Sequence, residues 1–255
     1  MLDSLQIKNP KSKIQNQTNQ IRILLWDIDG TLMQSTRAGA YKEYFAPALE
    51  KVYGSAGRLV GMQVSGMTDT QIAFEALRDE GFMVERIFAE KERLLDIFKE
   101  EMSRVISIRD NPYKMFPGVS DILAETDKNP RYLNALLTGN LSVAAEIKLR
   151  YIKLWKYFEN SPNIYGEISH DRRELARDAL SRVKKFLGAE IKPQQLIVIG
   201  DTPNDIACAQ AIGAKVISVA TGRNHPREEL MEYKPDVLLD DLQDTKKVLE
   251  IFRNL

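Results

Sequence analysis

Short continuous apolar runs alternate with stretches in which apolar residues recur every three or four positions, and this alternation organises the chain beyond residue 20. Ile23-Leu24-Leu25-Trp26 ends at Asp27-Ile28-Asp29-Gly30-Thr31, the profile of a buried strand closed by a turn. Tyr132 to Leu137 ends at Thr138-Gly139-Asn140, and Leu196-Ile197-Val198-Ile199-Gly200 ends at Asp201. Lys215 to Val219 and Val237 to Leu239 predict two further short strands. Helical spacing fills the intervals: one helix begins near Pro117-Gly118 and another runs from Val143 toward Trp155. A third runs from Arg172 to Leu187, with Leu175, Ala179, Leu180 and Val183 inward. Strands alternating with helices predict crossover units, hence an α/β fold whose parallel sheet is covered on both faces.

From Arg37 to Ile106 the pattern is helical throughout. Ala38, Tyr41, Phe45, Leu49 and Val52 share one face, with Pro47 expected to kink or split that segment. Ile72, Ala76 and Leu77 continue the pattern, with a cap at Thr68 or Asp69 and a stop at Gly81. Ile87, Leu94, Leu95, Phe98, Met102, Val105 and Ile106 predict one long helix. This block reads as a separate helical lobe inserted after the first strand. Residues 1–20, rich in Lys, Asn, Gln and Ser, predict a flexible arm.

Composition narrows the partners. At 255 residues and 44% apolar content, the chain suits one large domain or a core with a modest second lobe. Lys+Arg and Asp+Glu are equal at 36 each, so no bulk attraction to nucleic acid or an anionic membrane is expected. No apolar run approaches the roughly 20 residues that span a bilayer, and the first residues lack a signal peptide's hydrophobic region. A cytoplasmic protein with no nucleic-acid or membrane partner follows; the oligomeric state is left unspecified. The single cysteine, Cys208, sits in an apolar helical stretch and reads as a buried structural thiol. His170 and His225 are too few and too scattered for a histidine-rich metal site.

Candidate chemistry gathers at the strand ends. Side chains two apart on a strand face the same way, so Asp27 and Asp29 are expected to emerge together. Paired carboxylates repel and resist desolvation unless a cation or donors compensate. In an open parallel sheet, ligands bind beyond the carboxyl ends of the strands. If the three polar-ended strands are neighbours, Asp27 and Asp29, Thr138-Gly139-Asn140, and Asp201 with Asp205 share one crevice. Carboxylates suit a hard cation such as Mg²⁺, and hydroxyls with helix N-termini suit phosphate. That combination points to phosphoryl transfer. The plainer alternative is that Asp29, Asp201 and Asp205 merely start turns and helices.

The three motifs in this order resemble the haloacid dehalogenase-like hydrolases: Asp27-Ile28-Asp29-Gly30-Thr31, then Thr138-Gly139-Asn140, then Gly200-Asp201-Thr202-Pro203-Asn204-Asp205. Thr-Gly-Asn is typical of phosphoglycolate-phosphatase-like members. The resemblance implies a Rossmann-like core over 21–36 and 110–255 and an α-helical cap over 37–109. It implies a Mg²⁺-dependent phosphatase acting on a small phosphorylated metabolite, with a phosphomutase, a haloacid dehalogenase or a non-catalytic binding module as alternatives. Asp27 would be the nucleophile and Asp29 the general acid and base. Mg²⁺ would be held by Asp27, the Asp29 backbone carbonyl and Asp201, with Asp205 supporting. Thr138, Gly139 and Asn140 would hold the phosphoryl group. The family's third motif supplies a cation, assigned here to Arg172, with Arg173, Lys184 and Lys185 as rivals. Gly66-Met67-Thr68-Asp69 resembles a cap loop of this subgroup with Met67 in place of Arg; Thr68 is also a candidate helix cap. His170 reads as a surface loop residue, and the glycine-rich Gly54 to Gly61 stretch lacks the end of a nucleotide-binding loop.

Overall fold

The computed structural model describes residues 21–255, and the arm expected over residues 1–20 lies outside them. The strands in chain order are β1 (Arg22–Trp26), β2 (Met33–Ser35), β3 (Tyr113–Met115), β4 (Tyr132–Leu136), β5 (Leu196–Gly200), β6 (Lys215–Val219) and β7 (Val237–Leu239). Five of them form one sheet in the order β4-β1-β5-β6-β7, and every pairing in it is parallel. The chain runs from β1 to β4 on one side and then continues at β5 on the other. The order therefore reverses beside β1, where an open α/β sheet places its ligand crevice.

Consecutive apolar residues form these strands because both faces are buried. Leu24, Trp26, Leu136, Ile197 and Ile199 belong to the core on one face. It is closed by α5 (Val119–Lys128), α6 (Ser142–Tyr151) and α10 (Thr245–Asn254). Ile23, Leu25, Ala135 and Val198 point to the other face, under α7 (Arg172–Leu187) and α8 (Pro203–Ile212). α9 (Arg227–Glu232) joins β6 to β7. Among the described residues no helix is long and apolar enough to cross a membrane.

Between β2 and β3 the chain is helical: α1 (Lys42–Tyr53), α2 (Asp69–Leu77), α3 (Val84–Ala89) and α4 (Lys91–Ser107). β2 and β3 pair antiparallel, so the insertion enters and leaves through a two-stranded ribbon. Two expectations are corrected here. Pro47 does not split its segment; α1 runs through it. Tyr44 and Phe45 pack edge-to-face on Phe98 of α4, at 5.3 and 4.9 Å, and such packing offsets the one lost backbone bond. The helix expected over 87–106 is two, broken at Glu90 (φ −97°, ψ 14°). The Ile87 carbonyl accepts from the Tyr53 hydroxyl at 3.1 Å, whereas a continuous helix would turn it to the amide of residue 91.

One polar network is buried within the sheet's helical layer. Asn134 of β4 accepts from the Trp26 indole at 3.0 Å and donates to Thr126 at 2.9 Å. Replacing Asn134 by Leu removes the indole's partner, while Thr126 keeps the Ile122 carbonyl. The expected loss of stability in urea unfolding is about 1–3 kcal/mol, the cost of an unpaired buried donor.

Candidate active site

Parallel register sets the site. Trp26 lies opposite Leu136 of β4 and Ile199 of β5, so the three polar strand ends begin at one height. The Asp27 amide donates to the Ile199 carbonyl at 2.9 Å and the Leu137 amide to that of Trp26 at 2.9 Å. The three tips thus meet. Asp27, Asp201 and Asp205 are buried, with one carboxylate oxygen from each lying within 4.8 Å of the others.

Each carboxylate is fixed differently. Asp205 accepts from the Thr202 amide (3.1 Å) and hydroxyl (2.7 Å) in a capping box that starts α8. It is a helix cap and a member of the cluster at once. Asp201 accepts from the Thr31 hydroxyl at 3.2 Å and sits in a clearing made by glycines. A Cβ on Gly30 or Gly222 would stand 2.1 or 1.9 Å from its Oδ2. Burial raises the pKa of Asp27 to about 7; Arg172 opposes the rise, and Asp205 and Asp29 add to it. Burial likewise raises Asp201 well above the carboxylate range, with Asp27 and Asp205 adding to it. An all-carboxylate donor set, buried and with a clearing around Asp201 that Cβ atoms on Gly30 and Gly222 would fill, fits a hard divalent cation.

Arg172 is the protein's own counter-charge there. As the first residue of α7, behind the Asp171 N-cap, it points into the crevice. One Nη lies 3.1 Å from Asp27 and 2.5 Å from Asp205, and the other donates to the Gly66 carbonyl at 3.2 Å. The rival cations lie elsewhere: Arg173 pairs with Asp171, Lys184 with Glu190, and Lys185 is exposed. Cys208 donates to the Arg172 carbonyl at 3.1 Å, and burial pushes its thiol up to about 12. It is structural.

Asp29 departs from the expected pairing. The strand ends at Trp26, Asp29 bridges to Met33, and Gly30 turns the chain at φ +88°, so strand alternation does not extend to it. Its carboxylate faces Asn140 (2.8 Å) and Lys148 (2.6 Å) and stands outside the three-carboxylate cluster. Asn140 also donates to the Thr138 hydroxyl at 2.9 Å, and Thr138 hydrogen-bonds Asp27. Lys148 escaped the sequence reading. Its signal was a lysine on the buried stripe of α6, between Ala144, Ala145 and Leu149. Burial works against its charge, but Asp29, Tyr113 and Asp69 outweigh that and raise its pKa.

The helical insertion docks on these tips through residues 66–70. The Asp69 amide donates to the Gly139 carbonyl at 2.7 Å, and the Leu141 amide donates to the Asp69 carboxylate at 2.8 Å. A Cβ on Gly139 would stand 2.3 Å from the Met67 carbonyl, so this approach needs glycine. Thr68 caps α2 by accepting from the Gln71 amide. Asn204 donates to the Gly66 carbonyl at 2.7 Å. His170 packs edge-on to Phe74 and Phe88 of the insertion, away from the cluster. Asp27, Asp29, Asp201, Lys148 and Arg172 line one cavity of about 580 Å³, with Tyr44 and Tyr113 also in its wall.

Comparison with known proteins finds relatives of the same fold. A profile of the HAD-hydrolase-like family matches residues 172–245. Phosphoglycolate phosphatase 1 of Pseudomonas aeruginosa is 27% identical over 231 residues, covering 88% of this chain and 78% of the relative. A Haemophilus somnus structure, described as a predicted phosphoglycolate phosphatase, superposes with TM-score 0.58 at 20% identity, covering 90% of this chain and 98% of that one. A Thermotoga maritima structure, provisionally described as a beta-phosphoglucomutase, gives 0.55 at 23% identity, covering 91% and 99%. These likenesses support the resemblance to the haloacid dehalogenase-like hydrolases of the phosphoglycolate-phosphatase-like subgroup.

Asp69 generates a pH prediction. Burial raises it from 3.8 to about 7, opposed by Lys148 and the Leu141 amide. A raised folded-state pKa means that its ionisation costs stability progressively as pH rises from about 4 to 7. Asp69→Asn keeps an acceptor for Leu141 and loses that penalty. The melting temperature of the variant relative to wild type should climb between pH 4 and 7 and level off above. A difference constant with pH would contradict the shift.

Proposed function

We propose that the protein is a Mg²⁺-dependent cytoplasmic phosphatase that hydrolyses a small, phosphoglycolate-like phosphate monoester through an aspartyl-phosphate on Asp27. The observation that carries this reading is a buried aspartate at a strand tip, bound by Arg172, beside two further carboxylates and open to the cavity. A carboxylate oxygen of Asp27 attacks phosphorus, and the bond to the leaving oxygen breaks with its electron pair going to that oxygen. Asp29 gives the leaving oxygen its proton. Asp29, now a carboxylate, takes a proton from water as the water oxygen attacks phosphorus, and the bond to Asp27 breaks to free phosphate. Thr138, Gly139 and Asn140 bind the phosphoryl oxygens, and Arg172 offsets charge on the nucleophile and on the transferred group. Asp27, Asp201 and the Asp29 backbone carbonyl would hold Mg²⁺, with Asp205 fixing Arg172; when bound, the ion would neutralise charge among the carboxylates and phosphoryl oxygens. The helical insertion, residues 37–109, covers the crevice and selects the substrate.

The test is a phosphate-release screen over small phosphate esters with and without Mg²⁺. Release is expected with Mg²⁺ and its loss with a chelator; Asp27→Asn should abolish turnover while retaining the wild-type fold. Label retained on a sugar product would indicate a mutase, halide release from a haloacid without metal a dehalogenase, and an inactive protein on the whole panel a binding module. Mg²⁺ should also raise the melting temperature. At 100 times its Kd the stabilisation is about 2.7 kcal/mol, and Asp201→Asn should lose most of it.

A further inference from the structure

We infer that Lys148 is a positioning residue for this reaction: together with Asn140 it occupies one oxygen of the Asp29 carboxylate, so that the other oxygen carries the proton to the leaving group. The inference rests on the reading of Asp29 as the proton donor.

Lys148 is only 5% exposed. Its ammonium lies 2.6 Å from Asp29 Oδ2 and 2.5 Å from Asn140 Oδ1. Ammonium offers only donors, so it fixes the Asn140 amide with its oxygen toward Lys148. The Asn140 nitrogen is thereby turned to Asp29 Oδ2 at 2.8 Å and to the Thr138 hydroxyl at 2.9 Å. The three side chains close a ring. Asp29 Oδ2 accepts from two of its members, and among the described residues no hydrogen bond falls on Oδ1.

A carboxylic acid carries its proton on the oxygen that is not already receiving N–H donors. Oδ1 is that oxygen. The Asp29 side chain is 44% exposed and Lys148 only 7%, so the cation lies beneath and the acid opens to the cavity. A lysine buried for packing alone would not have both its hydrogen-bond partners in the site. Removing it frees the Asp29 carboxylate to rotate and the Asn140 amide to flip, while the Asp27, Arg172 and Asp205 contacts stay in place.

The loss should therefore depend on how much protonation the leaving group needs. Lys148→Met keeps an unbranched stem, one atom shorter, and removes the charge. Its kcat/KM, which covers the steps through leaving-group departure, is compared with wild type on an alkyl phosphate and on p-nitrophenyl phosphate, whose leaving phenolate needs little protonation. The expected loss is about 10- to 100-fold on the alkyl ester and at most about 3-fold on the aryl ester, a fraction of the roughly 100- to 10,000-fold that general acid catalysis contributes. Lys148→Arg should recover part of the alkyl activity. Equal losses on both esters overturn the inference, and a reduced folded fraction, which scales both alike, cannot imitate the expected ratio. Wild-type protein that cleaves neither ester overturns the proposed function instead. The tether is then decided by the crystal structure of Lys148→Met: a rotated Asp29 carboxylate supports it, and an unchanged one still bonded to Asn140 overturns it.

Discussion

Buried like charges at the tips of two adjacent strands set the constraint that the rest of this molecule answers. Asp27, Asp201 and Asp205 repel one another in a place where water cannot screen them. Arg172 is the protein's reply. Its guanidinium reaches Asp27 after β1, Asp205 in α8 and the Gly66 carbonyl of the helical insertion. A planar fork with several donors does this where an ammonium would serve fewer directions. One side chain ties together the sheet, the helix behind it and the lobe above it.

That tie explains why the insertion sits where it does. Residues 66–70 meet the loop after β4 by bonds in both directions, the Asp69 amide to the Gly139 carbonyl and the Leu141 amide to the Asp69 carboxylate. Gly139 permits the approach because a methyl group there would collide with the Met67 carbonyl. The same loop supplies Asn140, which joins Thr138 and Lys148 around Asp29. The carboxylate cluster and the Asp29 network are thus two separately braced halves of one cavity.

Much of this was legible in the chain because periodicity reports burial. The apolar runs over 23–26 and 196–199 place their strands, and their acidic ends fall together since neighbouring parallel strands start their loops at one height. Arg172 was assigned through the family resemblance, and the structure shows Asp171 before it capping the helix. What escaped depended on tertiary contact. The orientation of Asp29 follows from where the strand ends and from the turn at Gly30, not from alternation. The break at Glu90 goes with a hydroxyl from another helix, Tyr53, bonded to the Ile87 carbonyl. Lys148 drew no reading from the sequence because its partner Asp29 lies more than a hundred residues earlier.

The ribbon of β2 and β3 has a mechanical meaning. Both passages of the chain into the helical lobe run through three paired rows, Met33 to Met115, Gln34 to Lys114 and Ser35 to Tyr113. The first row is bridged directly to Asp29. The only paired strands between the sheet and the helical insertion, among the described residues, therefore share one short segment with Asp29, so any tilt of the insertion would act at the root of that carboxylate.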